Sequence, residues 1–264
     1  MKMNIATVSY SGNLEKTLES VAKAGYSGVE LLFDDLDRYN GRAKSIGKLC
    51  RDLGLNVVAL QPLRSYEGAL NWQKKMDSAK YAFELMAEVQ TDLTVLCSNT
   101  HADLEFEPSR WVDQLNELAE SARDAEVRIG YEALAWGTFV NRFEAAWSLV
   151  RKVDHPSFGI VLDSFHTFSI SNEIENLDLI NPSKIFLVQL ADANRMGLDL
   201  ISWSRKHRKF PGYGQFRIPE FVARLQNIGY DGPYSFEVFS EELRAMPIET
   251  VSTEGFAFRL IQAL

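Results

Sequence analysis

Cysteine and histidine are both scarce in this chain of 264 residues, which contains two cysteines and four histidines. Cys50 and Cys97 lie far apart and form no CxxC spacing, so the sequence indicates neither a disulfide framework nor a thiolate zinc site. We interpret both as buried thiols. Long apolar runs are missing as well, since none approaches the roughly 18 to 20 residues of a membrane span. We therefore expect no membrane association.

The amino terminus, MKMNIATVSYSGNLEK, lacks the basic start, apolar stretch and small-residue cleavage site of a secretory signal, so we expect a cytoplasmic protein. Positive charge is in deficit, because 28 Lys and Arg residues stand against 36 Asp and Glu residues, for a net charge of −8. This balance argues against a nucleic-acid-binding protein. One segment, WSRKHRKF at 203–210, is basic, unlike the chain as a whole. It is consistent with either a solvated face or a local site for an anion.

Apolar runs rich in β-branched residues alternate with segments of helical period along the chain. The order is strand then helix, eight times, and the strands are continuous apolar runs, as expected for a parallel sheet covered by helices. We therefore predict an α/β fold, a closed (β/α)8 TIM barrel, with an open doubly wound sheet as the alternative. The predicted strands are Asn4–Val8, Gly28–Leu32, Asn56–Gln61, Leu93–Cys97, Val127–Glu132, Gly159–Asp163, Ile185–Leu190 and Tyr234–Glu237, and the predicted helices lie near 13–24, 40–53, 72–89, 108–124, 141–153, 173–180, 218–228 and 248–263.

Several helix ends carry local signals. Asn13 is placed to cap the first helix and Gly25 to end it, while Pro219 lies in the first turn of a later helix that Gly229 ends. No linker rich in Pro, Gly or Ser divides the chain, so we predict one catalytic domain over residues 1–264. The exception to short connections is the long loop after the seventh strand, 191–217, and long loops in compact domains are commonly lids or binding loops.

Four polar residues stand at or beside the ends of predicted strands five to eight: Glu132, Asp163, Gln189 and Glu237. The carboxyl ends of barrel strands converge on one mouth, and a polar group in a core strand is costly without a partner. Three carboxylates in a site of low dielectric repel one another unless a cation compensates them. We therefore predict that these four residues bind a divalent metal. Ligation by oxygen alone favours Mg²⁺ or Mn²⁺, accommodates Co²⁺ and disfavours Zn²⁺.

Further polar residues surround the same predicted mouth. His166 follows the sixth strand by three residues and is placed to act as a general base. Arg64, after the third strand, is expected to hold a substrate carboxylate together with Arg208 and Ser204 from the long loop. Glu30, at the end of the second strand, orients either a neighbouring side chain or the substrate, and the sequence does not separate these two roles.

Six segments of the chain resemble the bacterial 3-dehydroshikimate dehydratases, members of the superfamily of xylose-isomerase-like barrels. The resemblance runs from about residue 4 to residue 245 and rests on IATVSYSGNLEKTLESVAKAGYSGVE, QPLRSYEG, GYEALAWG, DHPSFGIVLDSFHT, IFLVQLADA and SWSRKHRKFPGYG. GYEALAWG, VLDSFHT and VQLADA are specific to the dehydratases, whereas a strand-end glutamate alone is typical of the whole superfamily. Some relatives carry an additional dioxygenase-like domain at the carboxyl end, and we expect none in a chain of this length.

The resemblance implies a metal held by Glu132, Asp163, Gln189 and Glu237, with His166 and Arg208 near the reacting ring. It also implies conversion of 3-dehydroshikimate, a small anionic substrate, to protocatechuate with loss of water. Growth on quinate or shikimate is the expected context. In chemical terms, a divalent ion stabilises the enolate that forms when an α-proton leaves, and the β-hydroxyl then departs as water. Neither the order of proton losses nor the group that protonates the hydroxyl follows from the sequence.

The nearest alternative is a sugar or keto-sugar isomerase or epimerase with the same barrel and metal site. Such relatives usually carry a histidine where this chain has Gln189, and a neutral sugar gives no reason for a basic segment over the site. Endonuclease IV needs a zinc site rich in histidine, which this acidic chain does not offer. A binding barrel without catalysis is disfavoured because every expected ligand is present. The oligomeric state is not encoded in any motif of this sequence.

Overall fold

The computed structural model describes residues 3–102 and 105–261. The strands are β1 (Met3–Ala6), β2 (Gly28–Leu32), β3 (Asn56–Arg64), β4 (Leu93–Cys97), β5 (Arg128–Glu132), β6 (Phe158–Asp163), β7 (Ile185–Leu190), β8 (Asp192–Ala193), β9 (Arg208–Lys209) and β10 (Tyr234–Phe236). The helices are α1 (Leu14–Ala24), α2 (Phe33–Arg38), α3 (Ala43–Asp52), α4 (Trp72–Val89), α5 (Pro108–Asp124), α6 (Phe143–Val153), α7 (Ser164–Ile170), α8 (Leu200–Lys206), α9 (Ile218–Asn227), α10 (Glu241–Arg244) and α11 (Ile248–Ile261).

Eight of the strands close into a parallel barrel in the order β1-β10-β7-β6-β5-β4-β3-β2, while β8 and β9 form a separate antiparallel pair. This topology confirms the predicted (β/α)8 barrel and excludes the open sheet. Strands β4, β6 and β7 are buried along their whole length, as their continuous apolar sequences predicted. None of the described helices combines the length and the apolar composition needed to cross a bilayer.

A small apolar cluster forms the floor of the barrel mouth. It consists of Ala59, Leu93, Val95, Val161, Phe186 and Leu187. Val161 and Leu187 precede Asp163 and Gln189 by two residues, so each shares a face of its strand with the polar residue above it. Gly130 holds the corresponding place below the end of β5, where a Cβ atom would lie 2.4 Å from the Val161 side chain. Close packing of this floor therefore directs the strand-end side chains upward into the mouth.

The helix-end signals read from the sequence are present. The Asn13 side chain accepts a hydrogen bond from the Lys16 amide at 2.9 Å, and Gly25 ends α1 with a φ of 95°. Pro219 lies in the first turn of α9. Gly229, with a φ of 92°, follows the last turn of this helix, so the predicted starts and stops of both helices are confirmed.

Several predicted elements differ from those in the structure. The helix predicted near 173–180 is a short 3-10 turn, Glu175–Leu179, because α7 follows β6 without any intervening loop. The predicted long loop at 191–217 contains β8, α8 and β9. Strand β10 ends at Phe236, so Glu237 is the first residue beyond it. For the last predicted helix, α11 extends to Ile261, and residues 262 and 263 lie outside the described residues.

Candidate active site

A cavity of about 410 Å³ opens at the carboxyl ends of the barrel strands. Its lining includes residues that the sequence analysis assigned to metal binding and catalysis: Glu132, His166, Arg208 and Glu237. Arg64, at the end of β3, also lines it, as do three arginines that were not predicted from the sequence, Arg38, Arg205 and Arg244. The size of the cavity suits a small molecule of one ring.

The junction between β6 and α7 brings an aspartate and a histidine together. Asp163 is both the last residue of β6 and the N-cap of α7, and its Oδ1 atom accepts hydrogen bonds from the amides of Phe165 at 2.5 Å and His166 at 3.3 Å. This cap fixes the carboxylate and leaves Oδ2 facing the mouth. The imidazole Nε2 of His166 then lies 3.8 Å from Asp163 Oδ2 and 3.9 Å from Glu132 Oε1.

The four predicted metal ligands all lie in the polar layer above the barrel floor, and each is at most 5% exposed. Ligand atoms of Glu132, Asp163 and His166 lie within 4.8 Å of one another. Glu237 joins this group through Arg208, whose Nη1 atom is 2.7 Å from Asp163 Oδ2 and 3.0 Å from Glu237 Oε2. Gln189 joins it through Glu30, as described below.

Two buried oxygen atoms of the predicted ligands, Glu132 Oε1 and Gln189 Oε1, have no hydrogen-bond partner among the described residues. Unpaired buried acceptors are costly, and a cation satisfies them. The donor set is therefore suited to a hard divalent ion, with carboxylate and amide oxygens as ligands.

The pKa shifts of the buried carboxyl groups also favour a bound cation. Burial, reinforced by Glu237 and Asp163, raises the pKa of Glu132 well above its ordinary value. Burial also raises the pKa of Glu237, although Arg208 opposes the shift. For Asp163, burial acts to raise the pKa, but the charge and hydrogen bond of Arg208, together with the Phe165 amide, outweigh it and hold the pKa below the ordinary value. One guanidinium group therefore compensates only part of the acidic charge, and a further cation would stabilise the rest.

Arg208 is buried and directs its hydrogen bonds to the protein. Besides the two carboxylates, its Nη2 atom donates to Ser204 Oγ at 2.8 Å, and its Nε atom donates to the Ser204 carbonyl at 3.1 Å. Its guanidinium also lies 4.5 Å from the centre of the Phe165 ring. The sequence analysis expected Arg208 and Ser204 to hold a substrate carboxylate. In the structure, their donors and acceptors instead contact each other and the two strand-end carboxylates.

Glu30 is fully buried below the cavity and contacts two glutamines. Its Oε2 atom accepts hydrogen bonds from Gln189 Nε2 at 2.8 Å and Gln61 Nε2 at 2.9 Å. Gln61 Nε2 also donates to Glu237 Oε1 at 3.1 Å. Of the two roles that the sequence left open, the geometry favours orienting neighbouring side chains. Gln61 was missed, although it ends an apolar strand in the same way as the predicted ligands.

The hydrogen bond to the Nδ1 nitrogen of His166 favours one tautomer. The backbone amide of Ala135 donates to Nδ1 at 3.1 Å, so a neutral imidazole carries its proton on Nε2. Burial lowers the pKa of His166 to about 3, against the opposing effect of Asp163, so the ring is neutral. A protonated Nε2 is a hydrogen-bond donor and cannot ligate a metal. This tautomer therefore favours the oxygen atoms as ligands.

Comparison with known proteins gives a matching family model, two relatives and one solved structure. A family model described as Xylose isomerase-like TIM barrel matches residues 18–260. A 3-dehydroshikimate dehydratase of Pseudomonas aeruginosa is 44% identical over 257 residues, which are 97% of this chain and 40% of that relative. A 3-dehydroshikimate dehydratase of Neurospora crassa is 28% identical, over 96% of this chain and 90% of that relative.

A solved structure of a xylose isomerase-like TIM barrel/4-hydroxyphenylpyruvate dioxygenase fusion protein superposes with a TM-score of 0.94 at 41% identity, covering all of this chain and 44% of that chain. The chain therefore spans less than half the length of the Pseudomonas relative and of this fusion protein. The family match covers most of the chain, and its fold is the closed barrel described above. The chain belongs to the xylose isomerase-like TIM barrel family.

Proposed function

We propose that the protein is a metal-dependent dehydratase, a carbon–oxygen lyase, that converts 3-dehydroshikimate to protocatechuate and water. The observation that carries the proposal is the set of strand-end oxygens, two of them unpartnered, beside a cavity that arginines also line. This arrangement suits an anionic ring compound whose ketone needs polarising. The names of the Pseudomonas and Neurospora relatives support the same substrate. Growth on quinate or shikimate, with the enzyme in the cytoplasm, is the context we propose.

Glu132, Asp163, Gln189 and Glu237 would hold a divalent metal, with Mg²⁺ or Mn²⁺ favoured and Co²⁺ acceptable to the same oxygens. Such an ion supplies Lewis-acid chemistry, which stabilises the negative charge of an enolate. Arg208 has a supporting role in this proposal, because it fixes the carboxylates of Asp163 and Glu237.

His166 is the proposed proton-transfer residue, acting through Nε2. The sequence analysis assigned it as the base that removes the α-proton, before the β-hydroxyl leaves as water and a second proton loss makes the ring aromatic. The hydrogen bond from the Ala135 amide places the proton of the neutral imidazole on Nε2, so Nε2 first donates to a substrate oxygen. It accepts a proton from the substrate ring only after it has given up the proton that it carries. Carboxylate oxygens of Glu132 and Asp163 lie 3.9 and 3.8 Å from this nitrogen, so they would exchange protons with it only after a small approach or through one water.

An ultraviolet assay tests the proposal. Purified protein is mixed with 3-dehydroshikimate and Mn²⁺ or Mg²⁺, and a chelator is added later. We expect a catechol absorbance to grow and to stop after chelation. The absence of any absorbance change with metal present would contradict the proposal and direct the search to keto-sugars, the substrates of the isomerase or epimerase alternative.

The substitution Glu132→Ala provides a second prediction. Removing one ligand carboxylate should abolish metal binding and turnover together, because the remaining oxygens hold the ion less tightly. Calorimetric metal titration and the ultraviolet assay on the same preparation measure both properties. Glu120→Ala is a matched control, since Glu120 is a half-exposed carboxylate on α5 that pairs with Arg123. Loss of turnover in Glu132→Ala with metal affinity intact would remove Glu132 from the ligand set.

A further inference from the structure

The basic segment 203–210 divides into residues inside and outside the cavity. Arg205 and Arg208 line the cavity. Lys206 points away from it and forms an ion pair with Glu241 at 3.1 Å, in which both side chains are at least half exposed. The two cavity arginines also differ from each other, because Arg208 forms ion pairs with two strand-end carboxylates and Arg205 forms none among the described residues.

Arg205 is held in place by aromatic rings. Its guanidinium carbon lies 4.8 Å from the centre of the Phe239 ring and 5.9 Å from that of Trp136. These rings restrict the side chain without using its five N–H donors, so a planar fork of donors remains available at the cavity wall.

The charge on Arg205 is poorly compensated. Burial lowers its pKa, and the positive charges of Arg64 and Arg208 add to this effect, although Glu237 opposes it. Arg244, which also lines the cavity, has its own pKa lowered by burial and by Arg205. Arg64, Arg205 and Arg244 all line this cavity, and an anion bound there would relieve their mutual repulsion.

We propose that Arg205 binds the substrate carboxylate and determines specificity for acidic over neutral ring substrates. The proposal rests on the proposed function and gives Arg205 the role that the sequence analysis assigned to Arg208. A guanidinium matches a carboxylate through two parallel N–H···O bonds. Arg64, at the end of β3, lines the same cavity and supplies a second positive charge. A neutral sugar would leave this charge unpaired, so the residue discriminates against it.

The test compares Arg205→Met with Lys206→Met, which removes a charge from the same helix outside the cavity. Binding of shikimate and of its uncharged methyl ester to the metal-loaded proteins is measured by calorimetry, and KM and kcat for 3-dehydroshikimate by the ultraviolet assay. Arg205→Met should weaken shikimate binding and raise KM by about ten- to hundred-fold, with a smaller effect on kcat. It should also abolish the preference for the acid over the ester. Lys206→Met should behave as the wild type.

Measurements of metal affinity and circular dichroism on Arg205→Met establish that the metal site and the fold are intact. Arg205→Lys keeps the positive charge but lacks the planar pair of N–H donors, so it should recover part of the lost affinity for shikimate. Unchanged shikimate binding in Arg205→Met would overturn the proposal even if the wild type turns over 3-dehydroshikimate. Conversely, the wild type could show no turnover while its preference for the acid over the ester still depends on Arg205. That result would overturn the proposed reaction and would still support Arg205 as the residue that binds the carboxylate.

Discussion

At the scale of single residues, Glu30 holds two glutamine side chains although it does not line the cavity itself. Its carboxylate accepts the N–H groups of Gln189 and Gln61, and the oxygen of Gln189 is left without a partner among the described residues. In Glu30→Gln an amide N–H₂ replaces one acceptor oxygen. We expect metal affinity to fall about ten- to hundred-fold, as for other residues that orient metal ligands. Calorimetric titration with Mn²⁺ measures this change.

The control for Glu30→Gln is Glu67→Gln, which alters a buried carboxylate that hydrogen-bonds Tyr131 at 2.8 Å and does not line the cavity. Its metal affinity should stay near that of the wild type. Equal losses in the two variants would indicate a general effect of altering a buried acid and would contradict the orienting role.

His166 supplies a second prediction at this scale. His166→Ala should keep its metal affinity and lose turnover by about 10²- to 10⁴-fold, because it removes a proton-transfer group while leaving the oxygen ligands in place. Nitrogen NMR of the imidazole should show the proton on Nε2, and four histidines make the spectrum simple to assign. Nearly full activity in His166→Ala would remove this residue from the mechanism, whereas a proton on Nδ1 would contradict the donor tautomer.

At the scale of elements, one aspartate organises the segment that carries Arg205 and Arg208. Asp192, in β8, accepts hydrogen bonds from four backbone amides: Ala193, Gly212, Gly214 and Phe216. Asp192→Ala leaves these amides without their partner and should cost about 3 kcal/mol of the free energy of unfolding, with faster hydrogen exchange at residues 208–216. Asp199→Ala, which removes only the cap of α8, should cost much less of the free energy of unfolding than Asp192→Ala. Equal losses would refute the organising role of Asp192.

The elements also show which parts of the site a sequence can predict. The four predicted ligands could be proposed because each lies at or beside the end of an apolar strand, and parallel strands in a barrel end at one mouth. The ion pairs of Arg208 with Asp163 and Glu237 could not be predicted in this way. They join residues that are 45 and 29 positions apart in the sequence, and Arg208 lies in a segment whose helix and strands were not predicted. The tautomer of His166 depends on the Ala135 amide, 31 residues away. Such contacts depend on tertiary packing, which periodicity does not encode.

At the scale of the whole molecule, the buried acids couple stability to pH and metal. Burial raises the pKa of Glu30 from 4.5 to about 8, and that of Glu132 also rises. Their contribution to the stability of the metal-free protein is fully present below the unfolded pKa and is lost as pH rises through the folded pKa. Asp163 has a lowered pKa, so its contribution to stability is present above the unfolded pKa and is lost as the pH falls through the folded pKa.

We therefore expect Mn²⁺ to raise the Tm of the metal-free protein more at about pH 8 than at about pH 5, because metal binding displaces protons from the raised carboxyls. Scanning calorimetry with and without the ion at both pH values measures the difference. The pH dependence should be weaker in Glu30→Gln. An equal gain in Tm at the two pH values in the wild type would contradict the raised pKa values of Glu30 and Glu132.

The central claim is that a metal held by the strand-end oxygens makes this barrel a dehydratase. The most direct measurement is a titration of the metal-free protein with Mn²⁺, in which bound ion is followed by electron paramagnetic resonance and catechol formation from 3-dehydroshikimate by absorbance in the same samples. The account predicts that both signals rise together and saturate at one ion per chain. Full catechol formation before any ion is bound, or an occupied site with no catechol formed, would contradict it.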